Sequence, residues 1–122
     1  AGMPILGTCA GMILLSSKIA DGRSDQKPLN LIDIEVRRNG YGRQINSFES
    51  DLFIEGFESS FRGVFIRAPL VEDVSEKVEV IAELNGRPVM CRQDSTIVTS
   101  FHPELADDDR IHAEFLEMAS NC

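Results

Sequence analysis

The sequence has 122 residues, 43% hydrophobic and 26% charged, with 20 acidic against 12 basic side chains and a net charge of −8. A chain of that size fits one domain around one core, and so acidic a surface repels a nucleic-acid backbone. The longest apolar run, Met12 to Leu15, is far too short to cross a bilayer, and no basic segment leads into a long apolar one, so neither a membrane span nor a secretory signal is expected.

Pro4 to Met12 is an apolar, strand-like run entering a small-residue turn, Gly7-Thr8-Cys9-Ala10-Gly11, from which a helical pattern leaves. Cys9 at such a strand-to-helix elbow reads either as a packed thiol or as a nucleophile. The second reading explains the small flanking residues, because an elbow is tight and a substrate must approach it closely. A helix N-terminus beside the thiol favours its thiolate form. Ala10 to Ala20 carries Met12, Leu15 and Ile19 at helical spacing, which predicts a largely buried helix. The polar segment Asp21 to Pro28 ends it in a surface loop. Leu31 to Val36 alternates apolar and acidic residues as a strand with one wet face does.

Arg37 to Gln44 interleaves three arginines with two glycines. It reads as a solvated loop or as a cradle for a carboxylate, which an Arg fork binds bidentately. Asp51 to Glu55 and Gly63 to Pro69 are strand candidates. In the second, Arg67 closes a nearly all-apolar run, so a buried charge there needs a salt-bridge partner or a substrate. Val78 to Ala82 and Val89 to Cys91 pair around Asn85-Gly86, a dipeptide suited to a tight hairpin, with Cys91 packed between strand neighbours. Thr96 to Phe101 is a further strand. It runs into His102-Pro103-Glu104, and a final helix with Ile111, Phe115, Met118 and Ala119 on one face follows Asp107-Asp108-Asp109, which can cap it. His112 falls among charged residues and reads as a surface histidine. Cys9, Cys91 and Cys122 are odd in number and widely spaced, which argues against a disulfide framework or a zinc site and for a reducing compartment.

Residues i and i+2 of an extended chain point to one side, so His102 and Glu104 can meet. A carboxylate on one ring nitrogen fixes the tautomer and leaves the other nitrogen free to take a thiol proton. With Cys9 this makes a nucleophile, a base and an orienter.

The elbow Gly7-Thr8-Cys9-Ala10-Gly11 together with Phe101-His102-Pro103-Glu104-Leu105 resembles the class I, or triad, glutamine amidotransferases. Arg38 to Gln44 and Val64-Phe65-Ile66-Arg67-Ala68-Pro69 resemble one branch, the glutaminase subunits of pyridoxal 5'-phosphate synthase (the PdxT/SNO family), and the similarity runs in order nearly from end to end. The resemblance implies an α/β fold of the flavodoxin-like amidotransferase type with a mixed sheet, residues 1–122 forming a single but N-terminally incomplete domain. By the same resemblance Cys9, His102 and Glu104 are the catalytic triad. Arg38, Ile66 and Arg67 contact glutamine, and the backbone N–H of Ala10 is one oxyanion donor.

Neither a metal nor an organic cofactor is implied. The implied partners are L-glutamine and a (β/α)8-barrel synthase subunit that takes up the ammonia for vitamin B6 biosynthesis, and the implied location is cytoplasmic. Members of the family begin several dozen residues earlier, with a first strand and a Pro-Gly-Gly-Glu-Ser loop. This chain is therefore expected to match a C-terminal portion and to be an inefficient enzyme by itself. Two other readings are a different triad glutaminase, such as the one serving imidazole glycerol phosphate synthesis, and a non-catalytic fragment that only binds a synthase subunit.

Overall fold

The computed structural model describes residues 4–20, 28–38, 47–106 and 108–120, without the side chains of 119 and 120. The expected loop over 21–27, the arginine-glycine stretch beyond Arg38, Asp107, Cys122 and the placement of the Ala119 side chain lie outside the described residues. In chain order the elements are β1 (Ile5–Thr8), α1 (Ala10–Leu15), β2 (Lys18–Ile19), β3 (Ile34–Arg37), β4 (Ser47–Leu52), β5 (Phe61–Ile66), β6 (Leu70–Val74), β7 (Glu79–Leu84), β8 (Arg87–Gln93) and β9 (Thr96–Thr99). A 3₁₀ turn, Pro103–Leu105, and α2 (Arg110–Ser120) complete the chain.

The largest sheet runs β1-β9-β8-β7, with β1 parallel to β9 and the other neighbours antiparallel. It is the mixed sheet expected of the α/β class. Because side chains alternate across a strand, β9 sends Val98 to one face and Ile97 to the other, while β8 does the same with Cys91 and Met90. Val98 and Cys91 join Met12, Leu15, Ile34, Val36 and Val71. Ile97 and Met90 join Phe61, Phe65, Phe101 and Ile111. With a core on each face, β9 is buried at all four positions, and the two strands that frame the elbow have little freedom to shift.

The remaining strands form two smaller ladders, β2-β3-β6 and β4-β5. Of these, β2 and β6 were not anticipated from the sequence, and β4 starts earlier than the expected Asp51 because Ser47, Glu49 and Asp51 point to solvent while Phe48 and Leu52 turn inward. The hairpin is as expected: Leu84 pairs with Arg87 across Asn85-Gly86, and both turn residues have positive φ, 53° and 79°, as a type I′ turn requires.

The first helix is a correction. It ends at Leu15 rather than Ala20, and Ile19, which matched the helical spacing, lies in β2. Two serines make the break. The Ser16 hydroxyl and N–H both fold back on the last turn, donating to the Ile13 carbonyl at 2.7 and 3.4 Å. Ser17 donates from its N–H and its hydroxyl to Ile34 of β3, at 3.1 and 2.9 Å. Short hydroxyls compete with helical bonding in this way, and the chain passes into a sheet.

At the other end, Asp108 accepts the Arg110 N–H at 3.1 Å and caps α2 as expected of the acidic run. The Arg110 guanidinium also donates to both Asp108 carboxylate oxygens at 3.0 Å, to the Ser59 and Ser60 carbonyls at 3.0 and 2.7 Å, and lies 4.9 Å from the Phe57 ring centre. Its side-chain hydrogen bonds, more than its charge, hold the Asp108 carboxyl below the usual carboxylate range. This ties α2 to the segment that leads into β5.

Candidate active site

The parallel pairing Ile5↔Thr96 through Thr8↔Thr99 brings the ends of β1 and β9 out side by side, so Cys9 and Ser100 emerge together. The Cys9 N–H donates to the Thr99 carbonyl at 2.8 Å, extending the ladder by one bond. There the chain turns sharply: Cys9 has φ 51° and ψ −103°, a conformation that costs a non-glycine residue about 1–3 kcal/mol. The turn demands a small neighbour. A Cβ on Gly7 would lie 2.6 Å from Leu15 Cδ1 and 3.0 Å from the Gly11 backbone, whereas one on Gly11 would meet nothing within 4 Å, so the packing of the elbow requires glycine at Gly7.

The candidate base comes from the same strand end. The His102 N–H donates to the Val64 carbonyl of β5 at 2.7 Å, and His102 Nδ1 lies 2.6 Å from Glu104 Oε2. That carboxylate sets Nδ1 as the protonated nitrogen and leaves Nε2 as the acceptor, an assignment made from the hydrogen bond. The route to the contact differs from the expected one. His102 is extended, but Pro103–Leu105 forms a 3₁₀ turn, so the carboxylate folds back onto the ring. Glu104 is half exposed and His102 less so, whereas Cys9 is only 5% exposed.

The thiol itself requires a second correction. Burial, and to a smaller extent the charge of Glu104, pushes the Cys9 thiol up to about 12, opposite to the thiolate expected from a helix N-terminus. Six residues of helix offer little opposing field, and a desolvated anion is costly. The protonated thiol donates to the Ser100 carbonyl at 3.1 Å. Among the described residues, therefore, the thiol rests on Ser100 while His102 holds Glu104. Cys91, packed on β8 opposite Val98, is also pushed up to about 12, chiefly by burial. Two thiols with raised folded-state values bind protons that the unfolded chain has released. Stability is thus fully present below about pH 9 and lost towards about pH 12, at most about 1.4 kcal/mol per unit for each thiol. Urea midpoints measured across that window should fall less steeply for Cys91→Ala than for the parent chain; equal slopes would contradict the assignment.

The remaining site candidates fall on neighbouring strand ends. Ile66 closes β5, partly exposed, two residues beyond the Val64 carbonyl that holds His102. Arg67 follows with φ 45°, which swings it out of the strand, and it is exposed. The burial that would have forced a partner on its charge is not there. Arg38 is exposed just past β3; the pairing of Arg37 with Leu70 sets it alongside Pro69, close in sequence to Arg67. Ala10 is the first residue of α1, so its N–H has no acceptor within the helix. His112, expected at the surface, is half-buried on α2, beside an open cleft that also includes Glu104 and Asp109.

Two contributors escaped the sequence reading: the Val64 carbonyl, which no side-chain pattern encodes, and the Thr99-Ser100 pair. The second had a signal. Two hydroxyl residues between Val98 and Phe101, all four buried, must find partners inside the fold.

A family model described as the SNO glutamine amidotransferase family matches residues 1–121. The chain is 52% identical over 118 residues to a protein of Mycobacteroides abscessus named pyridoxal 5'-phosphate synthase subunit PdxT, covering 97% of this chain and 61% of that one. It is 55% identical over 119 residues to a protein of the same name from Streptomyces griseus, with 97% and 60% covered. The chain thus spans about three fifths of the length of these curated relatives. Among solved structures, one described as a glutamine amidotransferase superposes with a TM-score of 0.90 at 48% identity, over 96% of this chain and 61% of the other. A structure from Thermoplasma acidophilum, described as a GMP synthase protein, has a TM-score of 0.68 at 15% identity, over 97% and 58%, and shares the fold.

Proposed function

Because the chain belongs to the SNO glutamine amidotransferase family, we propose that it carries the nucleophile, base and orienter for hydrolysis of glutamine to glutamate and ammonia. The observation that carries this reading is the 2.6 Å contact of His102 Nδ1 with Glu104 Oε2, at the end of the strand that pairs with the Cys9 elbow. Cys9 Sγ attacks the side-chain amide carbon as its proton passes to His102 Nε2, and His102 gives that proton to the departing ammonia. The resulting thioester is then cleaved by a water from which His102 takes a proton. Glu104 holds the ring and stabilises the imidazolium between these transfers.

A thiol pushed up to about 12 makes this coupling necessary, since a free thiolate is scarce near neutrality. The Ala10 N–H faces the developing oxyanion as one donor. Arg38 and Arg67 offer guanidinium forks to the α-carboxylate of glutamine, and Ile66 contacts its aliphatic chain. In the whole protein, the ammonia passes to a pyridoxal 5'-phosphate synthase subunit of (β/α)8-barrel type in the cytoplasm, within vitamin B6 biosynthesis. Residues 1–122 act as one domain in this.

The test is ammonia release from glutamine, with and without the synthase subunit, for the chain and for a version extended to the length of its relatives, each compared with Cys9→Ala. Release that depends on Cys9 in either length is expected. If no version shows it, even with the synthase subunit, the glutaminase reading fails.

A further inference from the structure

We infer that Thr99 is a positioning residue for the nucleophile: its hydroxyl clamps the Thr99–Phe101 turn that sets the Ser100 carbonyl against the Cys9 thiol and aims the chain into His102. Thr99 is completely buried, and its Oγ1 donates to the Phe101 carbonyl, two residues on, at 2.8 Å. Around this bond the segment is tethered at every step. The Thr99 carbonyl accepts the Cys9 N–H, the Ser100 N–H donates to the Val89 carbonyl at 2.9 Å, and the His102 N–H donates to Val64. The Ser100 carbonyl, held between these fixed points, is the acceptor of the thiol.

The backbone tethers fix the two flanks, on β8 and β5. The close side-chain bond across the turn itself is that of Thr99; among the described residues the Ser100 hydroxyl reaches Val89, at 3.5 Å. Removing the Thr99 hydroxyl takes a close hydrogen bond from the Phe101 carbonyl, a loss that a buried turn relieves by rotating. Rotation there carries the Ser100 carbonyl off the sulfur and shifts the start of His102. A thiol bonded to a carbonyl is held in its neutral form, so losing that acceptor makes it easier to ionise.

The consequence for glutamine turnover rests on the glutaminase reading, but the inference is tested without glutamine. Thr99→Val keeps the shape and removes the donor, while Thr99→Ser keeps the donor. Iodoacetamide labelling of the intact protein at fixed pH, resolved by peptide, follows Cys9 and Cys91 separately. Cys91 sits on β8 opposite Val98 and reports general loosening of the sheet. Thr99→Val should speed labelling of Cys9 by a factor of about five, the weight of one net hydrogen bond, with Cys91 unchanged and Thr99→Ser close to the parent. The inference is overturned if the Cys9 rate does not change, if Cys91 accelerates in step with it, or if Thr99→Ser behaves like Thr99→Val. This labelling pattern across the variants, with no Cys9-dependent glutamine hydrolysis by either length of the chain even with the synthase subunit, would sink the glutaminase reading alone.

Discussion

Replacing His102 by glutamine should lower the rate of glutamine hydrolysis by a factor of about 10²–10⁴, the usual share of a positioned acid-base group, with a smaller effect on KM. The size follows from the resting thiol. If Cys9 were a thiolate, losing the base would spare the attack and slow only the later steps. With the thiol pushed up to about 12 by burial, the attack depends on an acceptor for the thiol proton, the role proposed for His102. The main-chain bond to Val64 does not depend on the imidazole, so the fold should persist and circular dichroism of the variant should match the parent. Steady-state kinetics of the form that turns over glutamine provide the check. A loss below tenfold would mean that another group takes the thiol proton.

Phe101→Ala should cost about 3–5 kcal/mol of folding stability, the range for emptying an aromatic position in a core. Phe101 is fully buried, with its ring centre 5.9 Å from Phe61 and 5.6 Å from Phe65, and both of those rings belong to β5. Against a typical total of about 5–15 kcal/mol, that loss would leave little margin. Chemical denaturation measures it directly. Because Phe101 stands between Ser100 and His102, activity should fall along with stability, and a ligand-free drop under about 1.5 kcal/mol would show that the aromatic cluster repacks around the gap.

The parts of this molecule that were legible in its sequence are those governed by short spacing. His102 and Glu104 are near enough in sequence to meet, although a 3₁₀ turn and not an extended step brings them together, and the Asn85-Gly86 turn follows from backbone preference. The length of α1 was not legible in this way, since Ile19 continued the helical spacing of Met12 and Leu15. What ended the helix was Ser17 finding the Ile34 carbonyl, an acceptor seventeen residues away, and only the folded chain brings it there. The resting state of Cys9 escaped for a similar reason. A local pattern suggests a helix end, but burial between two strands is a property of the whole sheet, and it decided the protonation. Arg67 shows the converse, because an apolar run predicted its burial while one residue of positive φ turned it to solvent.

The backbone at Cys9, with φ 51° and ψ −103°, is a conformation native to glycine. Sequence change at this position is therefore one-sided. A step from cysteine to glycine relieves the backbone but empties a buried side-chain position and deletes the sulfur proposed to react, while the reverse step must take on about 1–3 kcal/mol of backbone strain.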